Sequence, residues 1–123
     1  IKLDPKYAKA YCNRGNAYYM KKEYDKAIMD YKKSIELDPK YIDAYMNLGA
    51  VYFNKGEYDK AIIEYTHVIE IDPKYAKAYF NRGDTYLRKK EYDKALQDFN
   101  LLENSGYKID NKLMEFLRKN VKK

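Results

Sequence analysis

Three prolines and three glycines keep a common period in this chain. Pro5, Pro39 and Pro73 stand 34 residues apart, and so do Gly15, Gly49 and Gly83. Whole segments return with them: DPKYAKAY at residues 4–11 recurs at 72–79, and KKEYDKA at 21–27 recurs at 89–95, with KGEYDKA at 55–61 between. A chain that repeats at such a spacing builds one small unit several times and stacks the copies, because a single unit cannot bury its own apolar face.

Each unit reads as two helices. Ala10, Tyr11, Arg14, Gly15, Ala17 and Tyr18 recur at spacings of three and four, the mark of one helix face, and Tyr24, Ala27, Ile28, Tyr31 and Ile35 form a second such run. The segments between the runs, residues 21–23, 55–57 and 89–91, are short enough to force an antiparallel hairpin. Asp-Pro then ends the second helix and starts the next unit. A glycine inside a helix costs about 1 kcal/mol against alanine, so Gly15, Gly49 and Gly83 mark places where two helices cross too closely for a side chain.

The pattern Tyr11, Gly15, Tyr18, Ala27, Tyr31, Pro39 returns as Tyr45, Gly49, Tyr52, Ala61, Tyr65, Pro73 and as Tyr79, Gly83, Tyr86, Ala95, Phe99. It resembles the tetratricopeptide repeat. The resemblance implies an all-α fold, a right-handed α-solenoid of three antiparallel helix pairs: units at 8–41, 42–75 and 76–109, preceded at 1–7 by the tail of an earlier repeat. Asn104, Ser105 and Gly106 replace the Leu-Asp-Pro ending of the third unit, and residues 110–123 read as a capping helix with Leu113, Phe116, Leu117 and Val121 on one face. A terminal unit needs such a polar outer side.

Hydrophobic residues at 46% beside 36% charged residues exclude a disordered chain, and no apolar run approaches the roughly 20 residues of a membrane span. The single cysteine, Cys12, makes no internal disulfide and with His67 falls far short of a zinc-ligand pattern. It favours a reducing compartment, hence a cytoplasmic location. One His, one Cys and no phosphate loop, paired carboxylates or Ser-His-Asp set leave no catalytic centre to assemble, and no cofactor is expected. His67 falls on the outer side of its helix by phase, and Cys12 on the groove side as a small apolar group.

The resemblance further implies that the first helix of each unit lines a concave side. Stepping along the face not needed for packing gives Cys12, Asn16 and Tyr19 in unit one, Met46, Ala50 and Phe53 in unit two, and Phe80, Asp84 and Leu87 in unit three. Most are apolar or aromatic, as at interaction sites, against the plainer reading of generic groove lining. Lys9, Asn13, Asn47, Lys77, Asn81 and Arg88 surround the stripe with amides and positive charge, which suits an extended peptide of a protein partner. Some members of the family grip the C-terminal carboxylate of chaperone tails with a clamp of Lys, Asn, Asn, Lys and Arg. Asn16, Asn47 and Lys77 match it, but Cys12 stands at the first Lys position and Asn81 at the Arg position, with Arg82 one place off.

Two further classes bear weighing. Sixteen tyrosines and a net charge of +6 invite a nucleic-acid reading, but most tyrosines recur at interhelix positions. Charges such as Glu23, Asp25, Lys26 and Asp30 interleave as on a solvated face, and nucleic acid is not the expected partner. Half the net charge sits in residues 110–123, where five basic and two acidic side chains include Arg118, Lys119, Lys122 and Lys123, a complement to the helix dipole. The other class is architectural: a segment of a longer array, with self-association through the uncapped face of the first helix.

Overall fold

The computed structural model describes residues 5–121; the expectations for residues 1–4 and for Lys122 and Lys123 lie outside them. The described residues form seven helices: α1 Pro5–Met20, α2 Tyr24–Leu37, α3 Ile42–Asn54, α4 Tyr58–Ile71, α5 Ala76–Arg88, α6 Tyr92–Asn104 and α7 Asn111–Asn120. Residues 5–7, expected as part of a tail, are already helical and open α1, whereas residues 39–41 and 73–75 at the same place in the repeat form turns. Proline suits the first helical position because its missing N–H has no partner there anyway.

Each hairpin closes in the same way. The N–H of Glu23 donates to the carbonyl of Tyr18, that of Glu57 to Tyr52 and that of Glu91 to Tyr86, each at 2.9 Å. This helix-ending motif needs a left-handed residue just before it. Gly56 supplies it at φ 78°, but Lys22 (φ 62°) and Lys90 (φ 65°) occupy the same conformation with a side chain attached. Asp25, Asp59 and Asp93 then sit in the first turns of α2, α4 and α6, where carboxylates complement the helix dipole. Asp38 and Asp72, each before a proline, are extended and stop α2 and α4.

Helices pair within each unit, and each second helix packs on the next first helix: α2 on α3, α4 on α5, α6 on α7. The repeated glycines do what their spacing predicts. A Cβ on Gly15 would lie 2.8 Å from the Tyr31 ring, on Gly49 2.6 Å from Tyr65, and on Gly83 3.0 Å from Phe99. One buried cluster centres on Tyr31, Leu48, Val51, Tyr65 and Val68, and a second on Ala95, Phe99, Met114 and Leu117. The cap therefore uses Met114 with Leu117, while Phe116 is exposed on the Tyr92 ring, 5.2 Å between centroids, and Val121 lies just past the helix end.

The sequence reading of Asp30 as a solvated charge is corrected. Asp30 is buried and accepts two hydrogen bonds from Arg14, Nε to Oδ2 at 2.7 Å and Nη2 to Oδ1 at 2.8 Å. Arg82 and Asp98 repeat this fork at 2.9 and 2.7 Å. In the middle unit the same two positions are Leu48, buried, and Glu64, whose carboxyl burial pushes above the usual carboxylate range against the opposing influence of His67 and Lys32. The signal was present in the sequence as Arg and Asp that recur, and disappear, together.

Candidate functional site

The stripe read from the sequence divides into covered and open positions. Cys12 and Met46 are 2% and 7% exposed, so they belong to the core and cannot touch a ligand. The reason is the stacking itself: Asn47 of α3 reaches over Cys12, its amide 3.8 Å from the sulfur. Burial raises the Cys12 thiol pKa, so it stays protonated. Leu87 packs half-buried against the second cluster. His67 is exposed, as its helical phase implied.

The open positions converge where α1, α3 and α5 meet. Tyr19, Ala50, Phe53, Asn81 and Asp84 share a depression of about 180 Å³ with Asn54 and Tyr65, two residues the sequence reading missed. Tyr19 is hydrogen-bonded to Asn54, and its ring lies 5.8 Å from that of Tyr24. Phe53 rests on Tyr58 at 5.4 Å between centroids, with the Arg88 guanidinium 5.6 Å from its own ring centre. Burial pushes the Tyr65 hydroxyl up to about 12, with a hydrogen bond from Asn81 opposing the shift. Its ring packs on the Gly49 crossing and the residue also lines the depression; the second fact is not visible in a tyrosine that repeats as a packing residue.

Asn16 and Asn47 stand beside this depression. The Tyr31 hydroxyl donates to Asn16 Oδ1 at 2.6 Å, and Asn47 Nδ2 donates to the same oxygen at 2.9 Å. Both amides are thus partly engaged within the protein. Lys77 and Phe80 line a separate, larger depression, again with Asn81. Lys9 and Asn13 are exposed on α1 and contribute to neither. Among the described residues no His, Cys, Asp and Glu set is grouped to hold a metal, and no helix is long and apolar enough to cross a membrane.

The sequence family model for the TPR repeat matches residues 15–56 and 51–90, more than half of the chain. The chain belongs to the tetratricopeptide-repeat family. No curated protein matches it in a sequence search. Solved TPR structures share its fold over almost its whole length. The first TPR of Spaghetti (RPAP3), bound to the HSP90 peptide SRMEEVD, superposes with TM-score 0.82 at 26% identity, covering 98% of this chain and 94% of that one. The N-terminal domain of stress-induced protein-1 from C. elegans gives 0.82 at 27% identity, with coverage of 94% and 95%. MamA gives 0.74 at 34% identity, over 95% of this chain and 61% of its own.

As a TPR protein it departs from the carboxylate clamp in the structure as well as in sequence. The first clamp position is the buried Cys12, Asn81 stands where the clamp has its Arg, and Arg82 is held by Asp98 and by Thr66, 3.2 Å away, rather than turned to a ligand. The fold is that of a protein-interaction scaffold.

Proposed function

We propose that the chain binds an extended segment of a partner protein along the first helices of its units, with no chemistry of its own. The observation that carries this is the shared depression: side chains from three different units, Tyr19, Phe53 and Asp84, line one opening. Aromatic rims give contact area at little entropic cost, and Asn54, Asn81 and Asp84 offer donors and an acceptor to a peptide backbone. Buried area converts poorly to affinity, and a site this short supports a dissociation constant of about 1 μM, or ~8 kcal/mol. HSP90-tail binding through a full clamp is not supported, for want of its first Lys and its Arg. The test is Ala50→Arg, which fills the depression from a helical position. A partner segment bound by the wild type should lose at least tenfold in affinity while circular dichroism and Tm hold; unchanged binding would refute the reading.

A second reading, self-association through α1, is favoured by one comparison. The Arg82 side chain is 17% exposed beneath α4 and bonded to Thr66, whereas its counterpart Arg14 is 59% exposed on the equivalent face. Sedimentation at rising concentration tests it: a mass that grows, and stops growing when the exposed Tyr7 of α1 is charged in Tyr7→Glu, supports it, and a constant monomer rejects it.

A further inference from the structure

One position of the repeat is treated differently in the third unit. Cys12 and Met46 are buried by the unit that follows, but Phe80, at the same place, is 49% exposed. The connection after the third unit is longer, residues 105–110 against 38–41 and 72–75. Instead of being covered, Phe80 forms one wall of an open depression of about 550 Å³ whose other apolar walls are Leu102, Tyr107 and Ile109. Lys77 from α5 and Lys108 from the connection line the same space from two sides. Neither makes an ion pair among the described residues, whereas Lys55, Lys89, Arg14 and Arg82 all do.

We infer that this depression takes a large apolar side chain of a partner segment whose neighbours on both sides are Asp or Glu. Apolar walls of this size accept an aromatic or large aliphatic group. Two ammonium groups on separate elements suit two carboxylates that flank the anchor, since each lysine acts as a point charge rather than a fork. Asn81 lines both this depression and the one between Tyr19 and Asp84, so a single extended chain can run across the two. The inference therefore rests on the groove reading and names the chemistry of its C-terminal end.

The test is a titration of the uniformly 15N-labelled chain, followed by NMR, with a blocked peptide carrying the core Glu-Asp-Phe-Asp-Glu. Shifts should map to Phe80, Tyr107 and Ile109. Replacing the peptide Phe by Ala, its acids by Gln and Asn, or the protein lysines by Lys77→Glu with Lys108→Glu should each weaken binding at least tenfold. Both lysines are exposed, so a double variant that keeps the native spectrum isolates the charge effect. A neutral peptide ending in Phe with a free carboxylate, bound more tightly than the acidic core, would overturn the inference. So would shifts confined to Tyr19 and Phe53 that ignore the lysine variant, an outcome that leaves the groove reading standing. No shifts with any peptide also rejects this pocket, and leaves Ala50→Arg as the separate test of the groove.

Discussion

Gly49→Ala sets two well-known effects against each other, and the geometry decides between them. Alanine gains about 1 kcal/mol of helix propensity over glycine. Its Cβ, however, would stand 2.6 Å from Cε1, 2.9 Å from Cζ and 3.0 Å from Cδ1 of Tyr65, where about 3.5–4 Å is comfortable. The ring cannot swing aside cheaply, because Tyr65 is 2% exposed in the cluster with Leu48 and Val68. Overpacking of this kind costs about 1–3 kcal/mol, so the net loss is about 0–2 kcal/mol and Tm falls by up to about 8 °C. Gly83→Ala meets Phe99 at 3.0 and 3.1 Å and the Asp98 Cβ at 3.3 Å, looser than at Gly49, and should lose less than Gly49→Ala. Gly56→Ala meets nothing within 4 Å but strains a left-handed residue at φ 78°, and should lose about 1 kcal/mol by the backbone alone. Urea melts of the three variants give the order. Gly49→Ala combined with Tyr65→Leu should lose less than the sum of the singles. If Gly49→Ala were more stable than wild type by the full propensity gain, the crossing would not require glycine and the reasoning would fail.

Three other outcomes follow from the same geometry. Lys90→Gly relieves a left-handed lysine, worth about 1–2 kcal/mol, against about 0.4–1 kcal/mol of added unfolded-state freedom, so chemical melts should show a net gain of about 0.5–1 kcal/mol. Arg82→Leu strands the buried Asp98 and should cost about 3–5 kcal/mol, while adding Asp98→Glu, which copies the Leu48 and Glu64 arrangement, should recover part of it in the same melts. Glu64 holds its proton more tightly folded than unfolded, because burial raises its pKa. The folded state then binds more protons above the ordinary carboxylate range, and stability falls as pH rises through that window. Glu64→Gln should therefore raise Tm relative to wild type at pH 7, with the difference closing by about pH 4.

Most of the fold was legible in the sequence because repetition repeats the evidence. Three spaced glycines opposite Tyr31, Tyr65 and Phe99 announce the same close crossing three times, and Asp-Pro announces two of the helix ends. What was not legible depends on the neighbour rather than on the unit. Helical phase put Cys12, Met46 and Phe80 on one face, yet the next unit covers the first two and leaves the third open. Asp30 looks like any surface acid along its own helix, and only the partner helix supplies Arg14. Residues 5–7 read as part of a tail because they begin at the proline of the same Asp-Pro pair that ends the other units, although proline is equally at home in the first turn of a helix.

The groove is best tested with the wild-type chain and the folded Ala50→Arg variant used side by side as baits in the source cell lysate, followed by titration of purified segments of each retained protein. A groove-bound segment should bind the wild type at about micromolar strength and the variant at least tenfold more weakly. A segment that binds both equally would contradict the groove reading.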